Sequence, residues 1–255
     1  MRHARTHLDP AAILLAVAVL AGATTARAAT DPKAILDKVD DLYRGQSARG
    51  KMTMKVTTEH WARTLELEFW SKGTDKSLVR ILAPLKEKGT ATLRVAENIW
   101  NFLPKTNRTI KVPSSMMGGS WMGSHFTNDD LVKESRMAND YTYVTSFEGE
   151  RDGKKIVELT LTPKPDAAVV WGKVVVEVEA VSYLPLRLRY FDEDLREARV
   201  MTFAGTQTVA GRTLPTVMKI VPADKPNEAT EVIYDDIAYD VKLDDDTFSQ
   251  QNLQR

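Results

Sequence analysis

Residues 64–70 read Thr-Leu-Glu-Leu-Glu-Phe-Trp, and the order of apolar and charged side chains in this stretch decides the fold. Leu65, Leu67 and Phe69 alternate with two glutamates. A period of two residues places successive side chains on opposite faces of a β-strand. The stretch therefore predicts a strand with one face directed toward a core.

The same alternation recurs along most of the chain. Further runs lie at residues 51–56, 79–81, 93–95, 100–102, 141–150, 155–162, 174–178, 186–190, 200–203, 216–221 and 232–239. Asp152-Gly153 is a typical two-residue hairpin connection between two of these runs. We predict a mainly β (α+β) protein with a single curved antiparallel sheet, a meander in chain order, because a sheet of about eleven strands curls.

Two non-strand segments are candidates to cover the concave face of this sheet. Residues 31–44 carry apolar side chains at helical spacing, with Asp31 as an N-cap and Pro32 at the first helical position. Residues 113–135 lack alternation, and residues 128–135 have the pattern of a short capped helix. We expect both segments to pack on the sheet, together with few other helices.

Residues 1–28 have the order of a secretory signal peptide. A basic start precedes the apolar run 11–23, and Ala26 and Ala28 form a small-residue cleavage pattern. We expect this segment to be removed by cleavage, leaving residues 29–255 as one domain in the periplasm. The chain holds 35 basic and 35 acidic residues, whereas binding of nucleic acid needs a clear basic excess.

The chain contains no cysteine. Disulfides, thiolate catalysis, cysteine-ligated metals and a lipid-modified N-terminal cysteine are therefore excluded. An exported domain without disulfides must be stabilised by a large hydrophobic core, for which this length suffices. We expect a freely diffusing monomer without a cofactor.

Catalytic chemistry has weak support in the residues. His60 and His125 are the only histidines beyond residue 28, and their spacing from carboxylates matches no metal motif. A nucleophile at Ser120 or Ser124 with His125 and Asp129 is conceivable, but the glycine spacing around the serines is not that of a nucleophile elbow. We expect neither a catalytic residue nor a metal ligand.

Residues 116–126 form the most unusual stretch, with three methionines, two aromatic residues and three glycines outside any predicted strand. Methionine fills irregular apolar spaces and recurs at adaptable binding surfaces. The stretch is either a mobile flap over an apolar cavity or a loop that plugs the core of the sheet. The residues leave both interpretations open.

Several arginines lie within or beside the predicted strands. They are Arg63, Arg80, Arg94, Arg187, Arg189 and Arg199. We expect most of them to be solvated on the outer face of the sheet. One or two could bind a phosphate or carboxylate headgroup at the rim of a cavity, where a bidentate guanidinium fits.

Several motifs together resemble a known family. They are Arg80 to Pro84, Lys88 to Ala91, Leu93 to Val95, Ile99 to Thr106, Val112 to Met117, Trp121 to Leu131, Tyr183 to Leu186 and Leu243 to Ser249. With them the chain resembles the outer-membrane lipoprotein-sorting (LolA-like) family, in a branch often encoded beside exporters. His125 departs from the pattern, where an aspartate is expected.

The resemblance implies an incomplete β-barrel of about eleven antiparallel strands closed by helices. It also implies a periplasmic carrier that shuttles lipid or lipoprotein acyl chains toward the outer membrane, with an inner-membrane exporter of the RND or ABC type as a partner. We expect the cavity or its flap to contain Leu65, Leu67, Phe69, Val79, Ile81, Trp100, Phe102, Met116, Met117, Trp121, Met122 and Phe126.

Two other functions remain open at this point. The same fold could serve as a sensor or interaction module that binds a regulatory membrane protein, in which case side chains would fill the core. A hydrolase using Ser120 or Ser124 with His125 is the third hypothesis. An unfilled apolar cavity would favour the carrier.

Overall fold

The computed structural model describes residues 31–43, 45–133, 137–167 and 169–255. The predicted signal peptide lies outside the described residues. The helices are α1 (Pro32–Asp41), α2 (Asn128–Lys133), α3 (Met137–Asp140) and α4 (Gln250–Leu253). The strands are β1 (Ser47–Thr57), β2 (Ala62–Lys72), β3 (Lys76–Ala83), β4 (Ala91–Val95), β5 (Asn98–Leu103), β6 (Arg108–Lys111), β7 (Tyr141–Arg151), β8 (Lys154–Pro163), β9 (Lys173–Glu179), β10 (Pro185–Phe191), β11 (Glu197–Val209), β12 (Arg212–Pro222) and β13 (Ala229–Tyr239).

All thirteen strands form one open antiparallel sheet, in the order β6-β5-β4-β3-β2-β1-β13-β12-β11-β10-β9-β8-β7. The predicted mainly β fold class is confirmed. The strand that alternation did not predict is β6, a four-residue edge strand whose side chains are mostly exposed. Such a short polar edge carries no inward apolar set from which it could be recognised. Among the described residues, no helix is long and apolar enough to span a membrane.

The order of the strands differs from a single meander in one respect. A meander in chain order would leave its first and last strands at the edges, but β1 pairs with β13 in the centre of the sheet. The edges are β6 and β7, which follow one another in the chain. The connection between them, residues 112–140, is here called the crossover segment, and it must pass from one edge of the sheet to the other.

Local turn and cap signals form as predicted. Asp152 and Gly153 have φ angles of +53° and +73° and connect β7 to β8, as a type I′ hairpin turn requires. The Asp31 carboxylate accepts a hydrogen bond from the Lys33 amide at 2.9 Å and caps α1. Helix α1 ends at Asp41, a little before the predicted boundary.

The sheet buries apolar side chains on both faces. The face that carries Leu65, Leu67 and Phe69, here called the inner face, packs against α1 and the crossover segment. On the opposite, outer face, a smaller cluster joins β3, β4 and β5 to Phe248 and Leu253 of the C-terminal segment. Both faces of these three strands are therefore covered by protein.

Gly50 is needed where the two halves of the sheet meet. It lies in β1 between Phe69 of β2 and the Asp236 carbonyl of β13, and a methyl group at residue 50 would clash with that backbone oxygen and lie 2.8 Å from the Phe69 ring. We expect Gly50→Ala to destabilise the protein by about 1–3 kcal/mol, because backbone must shift. Urea unfolding measures this loss.

The matched control is Gly118→Ala, because no atom lies within 4 Å of the added methyl group there. This variant should stay within about 0.5 kcal/mol of the parent protein. Equal stability of the two variants would contradict the close approach at Gly50.

Candidate functional site

An apolar cavity of about 180 Å³ lies between the inner face of the sheet and the segments that cover it. Its floor is formed by strands from both halves of the sheet. The side chains on the floor include Met52, Phe69, Val79, Leu188, Phe203, Met218, Val232 and Tyr234. Its roof includes Val39, Tyr43, Trp121, Phe126, Leu131 and Met137.

The composition of the floor requires a strongly curled sheet. Val79 of β3 and Leu188 of β10 line the same cavity, although six strand-to-strand steps separate β3 from β10. At about 4.8 Å a step, these strands would lie roughly 29 Å apart in a flat sheet. The inner face is therefore concave, and it encloses the cavity once the roof is in place.

Aromatic side chains attach the roof to the sheet. Trp121 and Phe126 are buried and pack edge to face with ring centroids 6.4 Å apart. The Trp121 indole donates a hydrogen bond to Thr92 Oγ1 at 3.0 Å. Met122 between them has a φ of +48°, and its carbonyl accepts a hydrogen bond from Arg63. The crossover segment thus places two aromatic rings over the cavity.

A buried ion pair holds the next part of the roof. Arg199 of β11 donates to the two carboxylate oxygens of Asp130 at 2.7 and 2.5 Å, and both side chains are almost fully buried. The rings of Trp171 and Tyr190 lie 4.4 and 4.3 Å from the guanidinium carbon. The bidentate geometry and the aromatic faces together compensate the desolvation of the guanidinium.

Asp130 also forms the start of α2. Its carboxylate accepts a hydrogen bond from the Thr127 amide at 2.7 Å, and the Thr127 hydroxyl accepts one from the Asp130 amide at 3.2 Å. This reciprocal pair is a capping box. The same carboxylate therefore shapes the roof and binds it to the sheet.

His125 bonds to the sheet as well, through β13 and the turn before it. Its Nδ1 lies 2.8 Å from Thr230 Oγ1, and its Nε2 lies 3.1 Å from the Glu228 carboxylate. The hydrogen bond with His125 holds the pKa of the Glu228 carboxyl below its ordinary value of 4.5, although burial acts in the opposite direction. The contacts of His125 thus help to hold the roof on the sheet, and they need a polar side chain at this position.

The hydrolase arrangement is not assembled. The Ser120 hydroxyl donates to the Ser124 carbonyl, and the Ser124 hydroxyl donates to the Trp121 carbonyl at 2.7 Å. Both hydroxyl protons are directed to backbone oxygens, and the His125 ring bonds to Thr230 and Glu228 instead. The geometry therefore stabilises a folded loop and does not prepare a nucleophile.

Seven of the twelve predicted site residues lie in the core that surrounds the cavity. Phe69, Val79, Trp121 and Phe126 line it. Leu65, Leu67 and Ile81 lie in the same core but pack fully buried outside the lining. Whether any of the twelve residues contacts a lipid stays a prediction.

The remaining five predicted residues lie elsewhere. Met122 packs against the edge of the core, and Met116 is more than half exposed in the crossover segment, with Met117 half-buried. Trp100 and Phe102 are directed to the outer face, where they pack in the cluster formed with the C-terminal segment. Because β5 is apolar on both faces, its alternation could not indicate which face lies inward.

Most of the lining was missed by sequence reasoning. Leu188, Phe203, Met218 and Val232 belong to strands that alternation predicts, and their inward direction was readable from the period of two. Their place opposite Phe69 was not readable, because it depends on the pairing of β1 with β13.

The expectation of solvated arginines is wrong at two positions. Arg94 is only 2% exposed and donates to the carbonyl oxygens of Ala96 and Thr74. Arg199 is buried against Asp130, so it neutralises a carboxylate of its own chain. Arg94 alternates with Leu93 and Val95, which favours the outer face, whereas the register directs both arginines inward.

The open, curled sheet with its covered concave face is a LolA-like fold, and comparisons with solved structures agree. The chain is similar to a DUF1329 family protein from Desulfovibrio piger, with a TM-score of 0.80, 23% identity and coverage of 88% of this chain and 100% of that one. It is also similar to an outer membrane lipoprotein-sorting protein domain from Vibrio parahaemolyticus, with a TM-score of 0.76, 21% identity and coverage of 88% and 98%.

A LolA superfamily protein from Nitrosomonas europaea gives a TM-score of 0.75 at 21% identity, with coverage of 88% of this chain and 100% of that chain. No curated protein matches the sequence. A family model described as a family of uncharacterized proteins matches residues 73–255. The chain therefore belongs to this family, and the predicted LolA-like fold is confirmed.

The buried ion pair of the roof gives a testable prediction. We expect Arg199→Ala to destabilise the protein by about 3–5 kcal/mol, because it leaves the Asp130 carboxylate buried without its cation. The measurement is the free energy of unfolding in urea.

The matched control is Arg212→Ala, whose ion pair with Asp41 lies at the surface, where the carboxylate is 61% exposed. Arg212→Ala should lower the free energy of unfolding by about 0–1 kcal/mol. If Arg199→Ala costs no more than Arg212→Ala, the ion pair does not stabilise the roof.

Proposed function

We propose that the protein is a periplasmic carrier that binds the acyl chains of a lipid or lipoprotein between the curled sheet and the crossover segment. The observation that carries the proposal is the apolar cavity, which the side chains of the core leave open. Each CH₂ group that leaves water for such a space gains about 0.8 kcal/mol. A chain of many methylenes therefore needs an enclosed apolar path to cross an aqueous compartment.

The size of the cavity indicates that the roof moves during loading. A volume of about 180 Å³ is close to that of an engineered cavity of about 150 Å³ that accepts benzene. A long acyl chain needs more room than a single ring. The floor can adapt through Met52 and Met218, because methionine repacks at low cost, but the larger change must come from the crossover segment.

Two observations support the proposed location. The order of residues 1–28 is that of a signal peptide, and a similar structure is described as a lipoprotein-sorting domain. We infer transit through the periplasm and loading from an inner-membrane exporter. The open cavity favours this role over that of an interaction module, for which a filled core was expected. The proposal includes no catalytic step.

The carrier proposal predicts binding of a fluorescent fatty-acyl probe by delipidated protein. Filling the cavity should weaken this binding, so we expect Val79→Phe to lower the affinity at least tenfold, because its larger ring occupies space between sheet and roof. Fluorescence titration measures both affinities.

Val144→Phe provides the matched control, because Val144 is 62% exposed on edge strand β7. This variant should bind like the parent protein. Absence of probe binding to the parent protein would refute the carrier proposal, and equal weakening in both variants would place the probe outside the cavity.

Movement of the roof can be blocked with a disulfide. His125 and Thr230 are in contact, and the chain has no cysteine of its own, so His125→Cys with Thr230→Cys introduces a single pair. We expect the oxidised double variant to take up the acyl probe much more slowly than its reduced form. Stopped-flow fluorescence with and without reductant measures the difference.

Thr230→Cys alone, treated with the same oxidant, controls for the loss of the threonine. Mass spectrometry verifies that the disulfide has formed. Equal uptake rates before and after reduction would show that this part of the crossover segment does not control access.

A further inference from the structure

Two serines form a polar strip in the mostly apolar lining of the cavity. Ser71 of β2 pairs with Ser77 of β3 across the sheet, and both residues line the cavity. Ser71 follows Leu67 and Phe69 at the period of two, so its side chain points to the concave face. The strip thus lies beside the apolar part of the floor.

The hydroxyl of Ser71 is buried without a partner. The residue is 8% exposed, and its Oγ has no hydrogen-bond partner among the described residues. Burying a hydroxyl without a hydrogen bond is unfavourable, and such groups in native proteins call for an explanation. Because Ser71 lines the cavity, a ligand that enters beside it and displaces the atoms covering this oxygen would satisfy it with a hydrogen-bonding group.

The charges of the lining select the kind of ligand group. The described residues that line the cavity include Asp40 and Asp130 but no lysine, arginine or histidine. Two buried guanidinium groups lie outside the lining, and both donate to groups of this chain. Arg199 forms the bidentate pair with Asp130, and Arg94, the cross-strand neighbour of Ser77, donates to the carbonyl oxygens of Ala96 and Thr74. A carboxylate or phosphate bound at Ser71 would therefore lose its hydration without gaining a cation that lines the cavity, which is costly.

We propose that the cavity binds an uncharged amphiphile whose hydroxyl or carbonyl oxygen hydrogen-bonds to Ser71, with Ser77 as its neighbour. This inference rests on the proposed carrier function and adds to it the chemical class of the polar end. A long-chain alcohol or an acyl ester meets the requirement, and an ionised fatty acid does not.

The test compares two probes with the same number of carbon atoms, 1-tetradecanol and tetradecanoate, by isothermal titration calorimetry at pH 8 with delipidated protein. We expect the alcohol to bind at least tenfold more tightly than the ionised acid. Ser71→Ala should weaken binding of the alcohol about fivefold to tenfold, as expected for one net hydrogen bond, and should leave binding of the acid unchanged.

Thr145→Val, which removes an exposed hydroxyl from edge strand β7, is the matched control and should leave both affinities unchanged. Folding of the variant is checked by its melting temperature. Ser71→Ala removes a buried hydroxyl that has no partner among the described residues. We therefore expect its melting temperature to be unchanged or to rise by at most about 2–4 °C.

The outcomes separate this inference from the carrier proposal. If neither probe binds the parent protein, both fail together. If both probes bind and the acid binds as tightly as the alcohol, the carrier proposal stands and selection of an uncharged ligand fails. If the alcohol is preferred but Ser71→Ala has no effect, the assignment to Ser71 fails.

Discussion

The antiparallel pairing of β1 with β13 is the interaction on which the rest of the structure depends. It joins two meanders, β1–β6 and β7–β13, into one sheet. Because the edges then belong to β6 and β7, consecutive strands in the chain, the segment between them has to span the sheet. The same connectivity therefore relates the curled sheet to the crossover segment that covers its concave face.

The crossover segment is attached by contacts of different strength. Its aromatic rings, Trp121 and Phe126, contribute non-directional apolar burial, which tolerates small displacements. The Arg199–Asp130 pair and the contacts of His125 are directional and tie the roof to β11 and β13. The desolvation of two buried charges offsets much of their attraction, but the bidentate geometry of the pair is directional. These directional contacts give the roof one defined closed position above a floor that can adapt.

The two faces of the meander β1–β6 pack against different parts of the chain. On the outer face, Phe248 and Leu253 of the C-terminal segment cover Leu93 and Phe102, and Lys72 and Lys76 bind Asp245 beside them. This packing stabilises strands β3 to β5 without using the inner face. The inner face is therefore left for the cavity and its roof.

Much of the fold was predictable from the sequence, because it rests on local signals. Alternation predicted about eleven of the thirteen strands, Asp152-Gly153 predicted its hairpin, and Asp31 with Pro32 predicted the start of α1. A period of two and a turn residue act within a few neighbours, so they are readable in one chain. The motifs of residues 80–131 also predicted the LolA-like family. The signal-peptide pattern and the absence of cysteine follow from the sequence directly.

Only the tertiary structure decided which residues share the cavity. The pairing of β1 with β13 joins residues almost two hundred positions apart in the chain, and no local pattern encodes such a register. For this reason Leu188 and Met218 were missed. Trp100 was assigned to the wrong face because β5 carries apolar side chains on both faces. Arg199 was expected in solvent, because the sequence does not show that Asp130 and two aromatic rings meet it. Burial of that charge depends on groups that only the folded chain brings together.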